Sequence, residues 1–116
     1  MTWEDVLKRK DIIGGELISS DDEYTYRGPI KDIEMKKGVV RIKLLWVARK
    51  SLKKLGKSWK NWHVTRALIS AENNPPKDLG KGLIGFNITP KSCSIIHPKG
   101  YDKLDPAKVK GLKIKS

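Results

Sequence analysis

The sequence lacks the features that would place a protein in a membrane or outside the cell. Its 116 residues include one cysteine, Cys93, so an internal disulfide is excluded. No apolar run approaches the ~20 residues needed to span a bilayer. The first residues, Met1–Asp5, carry acids where a secretory signal needs bases. These absences predict a cytoplasmic protein without a membrane span.

Groups typical of catalysis and metal binding are also scarce. His63, His97 and Cys93 are too few to complete a structural zinc site, and their spacing matches none of the usual ligand patterns. A nucleophilic side chain needs a positioned base, and the closeness of Cys93 to His97 in the sequence is only a coincidence of residue types. The sequence therefore predicts no enzymatic activity, no bound metal and no cofactor.

One glycine pattern has the spacing of a dinucleotide-binding loop. Residues 80–85 read Gly-Lys-Gly-Leu-Ile-Gly, but that motif needs a strand before it and a helix after it. Here a proline-rich loop precedes the glycines and a strand-like segment follows them. We therefore expect these glycines to serve a turn and a strand kink.

The positive charge is concentrated in one segment without acids. Residues 1–34 have a net charge of −4, whereas residues 35–71 carry 11 basic and no acidic side chains. The whole chain has a net charge of +12, and such a field attracts polyanions. The alternative is compositional bias, because lysine supplies most of the charge and isoleucine is also frequent.

The acid-free segment also has the clearest strand pattern. Apolar side chains alternate with polar ones over residues 39–49, which predicts one strand with a buried face. Residues 59–65 are predicted to return as its partner after the lysine-rich loop 50–58. The two strands would form one long β-hairpin.

The same alternation assigns the aromatic residues of this hairpin. Trp46 falls on the buried face of the predicted strand, and Trp62 aligns with the apolar side of the returning one. This leaves Trp59, together with Tyr24 or Tyr26, as the predicted exposed platform.

The remaining pattern is that of a mostly β protein. A capped helix is predicted at 2–13, and a bulge or edge position at Gly28-Pro29. Other predicted strands are 16–20, 24–27 continuing at 30–35, 83–89 and 94–97. The layout resembles small SH3-like or Tudor-like antiparallel barrels of five to seven strands. We expect one domain over residues 1–105 and a basic, flexible tail over 106–116.

These features favour a non-enzymatic module that binds nucleic acid with weak sequence specificity, RNA ahead of DNA. Small β-barrels that bind single strands pair cations for phosphates with aromatic rings for bases. The alternative is a protein-interaction barrel that presents the edge near Gly28-Pro29, or an aromatic groove, to a peptide. The oligomeric state is left open. The predicted nucleic-acid-binding residues are Arg41, Lys43, Arg49, Lys50, Lys53, Lys54, Lys57, Trp59 and Lys60.

Overall fold

The computed structural model describes residues 1–53 and 58–100. Within these residues the protein has one short helix and nine strands, about half of the residues being in strands. The prediction of a mostly β domain with antiparallel pairing is confirmed. The elements are α1 (Trp3–Leu7), β1 (Glu16–Ser20), β2 (Tyr24–Lys36), β3 (Val39–Leu44), β4 (Val47–Ser51), β5 (Lys60–Trp62), β6 (Arg66–Ser70), β7 (Lys77–Gly80), β8 (Leu83–Phe86) and β9 (Cys93–His97).

Helix α1 begins at a capping box and is shorter than expected. The Thr2 hydroxyl accepts the Asp5 N–H, and the Asp5 carboxylate accepts the Thr2 N–H at 2.8 Å. The helix ends at Leu7, so the prediction of a helix over 2–13 is wrong in extent. Trp3 is buried with its ring edge-on to Phe86, which fixes the helix to the core. In the described part of the chain, no helix has the length and apolar character required to cross a membrane.

Strand β2 belongs to two sheets. Its first half lies between β4 and β1 in a sheet of order β5-β4-β2-β1-β9-β8-β7, which we call the first sheet. Its second half pairs with β3, which in turn pairs with β6, and these three strands form the second sheet. A register shift between Ile30 and Asp32 marks the change. The bulge expected at Gly28-Pro29 thus comes slightly later in the strand, and Gly28 and Pro29 themselves pair with β1 inside the first sheet, not at its edge.

The long strand predicted over residues 39–49 is broken in the structure. It divides into β3 and β4, and the alternation changes phase between them, because Val47 and Ala48 are both buried. Trp46 lies at the break and is 48% exposed, so the prediction that it packs in the core is wrong. Both halves pair with β2, so the break follows the bend of their partner strand.

The bend depends on a close backbone approach at Gly28. A Cβ atom there would lie 2.1 Å from the carbonyl oxygen of Trp46, a distance that no side chain can occupy. Beside it, the Leu45 N–H donates to the Pro29 carbonyl at 3.0 Å. Glycine at this position therefore allows β2 to pass from one sheet into the other.

Two hairpin turns have the same Lys-Gly sequence and the same backbone conformation. Lys37 and Gly38 join β2 to β3, and Lys81 and Gly82 join β7 to β8. All four residues have positive φ, as the two-residue type I′ hairpin requires. The glycine pattern at residues 80–85 thus includes a hairpin turn, which confirms the turn expected there.

The core lies between one face of the first sheet, the second sheet and the N-terminal segment. Leu17, Phe86 and Ile96 come from the first sheet, and Val40 and Ile42 from the second. Among the described residues, the outer strands β5 and β7 of the first sheet do not pair with each other. The prediction of a closed barrel is therefore wrong, and so is the expected five to seven strands. The expected tail at 106–116 lies outside the described residues.

We predict that Gly28→Ala strongly destabilises the protein. The new methyl group must displace the Trp46 carbonyl, and such overpacking typically costs about 1 to 3 kcal/mol or more. Gly38→Asn is the matched control, because space around Gly38 is open and asparagine tolerates positive φ. Urea unfolding should show a large decrease in the free energy of unfolding for Gly28→Ala and a small decrease for Gly38→Asn. Equal losses would contradict this account of the bend.

Candidate nucleic-acid interface

The predicted basic hairpin exists only in part. Strand β4 pairs with β5 through Val47 and Trp62, Ala48 and Asn61, and Arg49 and Lys60. Strand β3 does not continue this hairpin, because it pairs with β6. The candidate interface is therefore the short β4–β5 pair at the edge of the first sheet.

Arg49 is the centre of this pair. Its guanidinium carbon lies 3.5 Å from the ring centroid of Trp62 and 4.0 Å from that of Tyr24. Cross-strand pairing explains the contact, because Tyr26 lies directly opposite Arg49 on β2, and Tyr24 is two residues away on the same face. The arginine thus joins aromatic residues from β2 and β5 by cation–π contacts.

The rings around Arg49 form a continuous series, which we call the aromatic row. Its members are Tyr24, Tyr26, Trp62 and His63, with successive ring centroids 6.1, 6.4 and 5.7 Å apart. The first three are half-buried and His63 is exposed. Burial raises the pKa of Tyr26, and the Asp21 charge raises it further against the opposing effect of Arg49. The row is therefore a platform of flat side chains, part of whose surface remains open.

Exposed cations lie along the aromatic row, and an acidic turn lies at its Tyr24 end. Lys60 is opposite Arg49 at the middle of the row, and Arg66 lines the same groove as Trp62. Lys53 comes two residues after Ser51, the partner of Tyr24, and is therefore near the acidic turn 21–23. In that turn Asp21 accepts the backbone N–H groups of Glu23 and Tyr24. A polyanion is attracted to the exposed cations, and the acidic turn opposes this attraction at the Tyr24 end.

Trp59 does not belong to the row. It lies near Arg27 and Lys50, at 5.3 and 6.0 Å from its ring centroid, and these two residues are on the opposite face of the first sheet from Arg49. Arg27 in turn binds Glu16 at 2.6 Å. The expected platform of Trp59 with Tyr24 or Tyr26 is therefore wrong, because the sheet separates them.

Arg41 and Lys43 are also away from the row. Both lie on β3 in the second sheet, where Arg41 binds Glu34 at 3.4 Å and Lys43 lies opposite Asp32. Their positive charges are thus partly neutralised by neighbouring acidic residues of β2. Lys54 and Lys57 lie outside the described residues. Of the nine predicted residues, the structure brings Arg49 and Lys60 together at the row.

Trp62 and Arg66 are contributors to this surface that the predicted site omits. Trp62 was assigned to the core because it aligns with Val64. It does pack against the core, but it is only half-buried, and Val64 is 54% exposed. A usable signal was the polar neighbourhood of Trp62, with Lys60 two residues before it and His63 directly after it. Such surroundings favour a half-exposed ring.

The residues considered for catalysis or metal binding are dispersed. His97 is buried on β9, where it lies opposite Glu16 of β1. Burial lowers the pKa of His97, while backbone hydrogen bonds and the Glu16 charge partly oppose that effect. Within residues 1–53 and 58–100, no group of three or more histidine, cysteine or acidic side chains could hold a metal ion.

Comparisons with known proteins were made by sequence and by structure. No protein-family model matches the chain, and no curated protein and no solved structure matches it at a significant level. The functional argument therefore depends on the chemistry of the surface.

We predict that His97 makes the protein less stable as the pH falls. Its pKa in the folded protein is below the usual 6.5, so the unfolded chain binds the proton first. Stability is complete above about pH 6.5 and declines as the pH falls from that value toward the lowered pKa. Urea unfolding between pH 7.5 and 5 should show the free energy of unfolding falling with pH. The His97→Gln variant should show a smaller fall. The control His63→Gln should retain the full fall, and an unchanged fall in the His97 variant would contradict the prediction.

Proposed function

We propose that this protein is a non-enzymatic module that binds single-stranded nucleic acid through the aromatic row and its flanking cations. The observation that carries the proposal is the contact of Arg49 with both Tyr24 and Trp62. This contact places a charge for phosphate within a platform of rings for bases. Proteins that bind single strands without strict sequence preference combine these two elements.

Stacking on the row explains why sequence specificity is weak. Every base has a flat face, so rings bind any base that is unpaired. Reading base edges requires planar donors held in fixed positions, which arginine supplies and lysine does not. In the row, Arg49 is already directed at two rings. The discriminating contacts are therefore few.

The charge pattern supports binding at the Tyr26 and Trp62 part of the row. Lys60 is exposed at the middle of the row and Arg66 lines the groove beside Trp62, whereas the acidic turn 21–23 lies at the Tyr24 end, close to Lys53. Binding is then driven by counterion release, as for other polyanion sites.

The alternative of a protein-interaction module needs a different edge from the one expected. Gly28 and Pro29 pair with β1 inside the first sheet, so a peptide cannot add there. Among the described residues, β6 pairs only with β3, so its outer edge is open to a peptide. The likeness to SH3-like or Tudor-like domains stays a prediction, and neither function depends on it.

We predict a steep salt dependence of binding. If Arg49 and three flanking cations neutralise about four phosphates, affinity for a single strand should fall roughly 50-fold between 50 and 200 mM salt. Fluorescence anisotropy with mixed-sequence single-stranded RNA and DNA measures this. A triple variant, Lys53→Gln, Lys60→Gln and Arg66→Gln, should lower the slope of log affinity against log salt from about −3 to about −1.

The matched control for charge removes the same number of cations elsewhere. Lys8, Lys31 and Lys36 are exposed; Lys8 is the C-cap of α1 and the other two lie on β2. Their replacement by glutamine should change the salt slope little. If both triple variants behave alike, net charge and not the interface determines binding. Absence of binding at 50 mM salt would exclude the proposal.

We further predict that Tyr24→Leu weakens binding about tenfold. Loss of one stacked base typically costs about 1 to 3 kcal/mol, and leucine preserves apolar packing beside Arg49. Trp46→Leu is the control, because Trp46 is 48% exposed and lies outside the row. Anisotropy at fixed salt compares the two variants. A larger effect from Trp46 would mean that the bases stack on another surface.

A further inference from the structure

An apolar groove lies beside the aromatic row. Its volume is about 340 Å³, and it is lined by Leu17, Tyr26, Val47 and Trp62 from the core-facing side of the first sheet. Residues 66–68 of β6 and part of the segment 88–92 line the remainder. The groove is mainly apolar, and Arg66 and Asp21 are the charged residues that line it. It has room for a few side chains of an extended chain.

The backbone of β6 is unpaired on its outer side within the described residues. This strand pairs only with β3. The Leu44 N–H donates to Thr65 at 2.7 Å, and the Ala71 N–H to Gly38 at 2.9 Å, so residues 65 and 71 face β3. Because antiparallel strands alternate in this respect, the amide and carbonyl groups of Arg66 and Leu68 point away from β3.

The β6 edge has little of the usual protection against strand addition. Natural edges carry charged side chains, proline or a bulge, and residues 66–70 contain one charged residue, Arg66, and no proline. The other outer strands are better protected, since β5 begins with Lys60 and β7 carries Lys77 and a register shift. In addition, Leu68 is 53% exposed at the centre of β6.

We propose that β6 binds an extended peptide of alternating acidic and apolar residues, which adds a strand to the second sheet and fills the groove. Side chains of an added strand alternate between the two faces. Those on the face of Ala67 and Ile69 enter the apolar groove. Those on the other face lie beside the exposed Arg66, and an acidic side chain complements this cation.

A peptide fits this edge better than a second copy of the protein. An edge of five residues is about 17 Å long, whereas stable protein–protein interfaces bury at least about 1,200 Å². A second copy would also bring a further net charge of +12 to a surface that is already basic. Charge complementarity therefore selects an acidic partner.

The test uses a fluorescent heptapeptide of alternating glutamate and valine with the full-length protein. We expect saturable binding by anisotropy, and at least tenfold weaker binding of a lysine–valine heptapeptide. Methylating alternate backbone nitrogens of the glutamate–valine peptide should abolish binding for one set and leave it for the other, because only one set faces β6. Equal binding of all these peptides would overturn the proposal.

The Leu68→Pro variant tests the same backbone hydrogen bonds from the side of the protein. Proline removes the outward N–H of Leu68 without removing a bond to β3, so affinity for the peptide should fall at least tenfold. Leu68→Ala retains the N–H and should bind nearly as well as the unchanged protein. If the proline variant does not fold, the methylated peptides still test the proposal. Binding of single-stranded RNA should be unchanged in both variants, because Leu68 lies outside the aromatic row and carries no charge.

Hydrogen exchange at the Leu68 amide distinguishes other occupants. We expect rapid exchange in the free protein and protection when the glutamate–valine peptide is added. Protection that increases with protein concentration alone would indicate that a second copy occupies β6. Protection in the free protein at every concentration would mean that the chain itself covers the edge. Either result would overturn the proposal.

Discussion

The contact between Gly28 and the Trp46 carbonyl is the constraint on which both sheets depend. A Cβ atom at Gly28 would lie 2.1 Å from that oxygen, so the two backbones approach as closely as backbones can. This approach lets β2 leave the first sheet and enter the second without a loop. The strand breaks at Trp46 for the same reason, because its partner must follow the bend. The two sheets are thus one continuous unit.

The bend also determines which residues meet at the surface. Because the second half of β2 turns away with β3 and β6, the first half is left with Tyr24 and Tyr26 at an open end of the core. Trp62 reaches them from β5. The aromatic row and the groove share Tyr26 and Trp62, so a nucleic acid and a peptide bound here would compete. The protein would then respond to whichever ligand is more abundant.

Local patterns in the sequence predict the elements better than the site. The predicted bounds of β1 are correct because glycines precede this strand and an acidic turn follows it. The face of Trp46 was assigned by extending one period through a strand that is broken, and the break is set by Gly28, distant in sequence. Trp62, assigned from its own strand, does pack against the core. Arg41 was counted as free charge, yet its partner Glu34 comes from the acidic first third of the chain. The register of the β2–β3 hairpin sets this pairing, and a count of charges by segment does not include it.

The position of β1 has a consequence for synthesis of the protein. This strand lies between β2 and β9, and β9 begins only at Cys93. At translation rates of ~5 to 20 residues per second, one edge of β1 stays open for roughly 4 to 15 s after the strand is made. Leu17 and Ile18 are on that strand, so a nascent chain exposes unpaired backbone hydrogen-bonding groups and apolar side chains together. Chaperone demand should therefore be greatest before the last strand emerges.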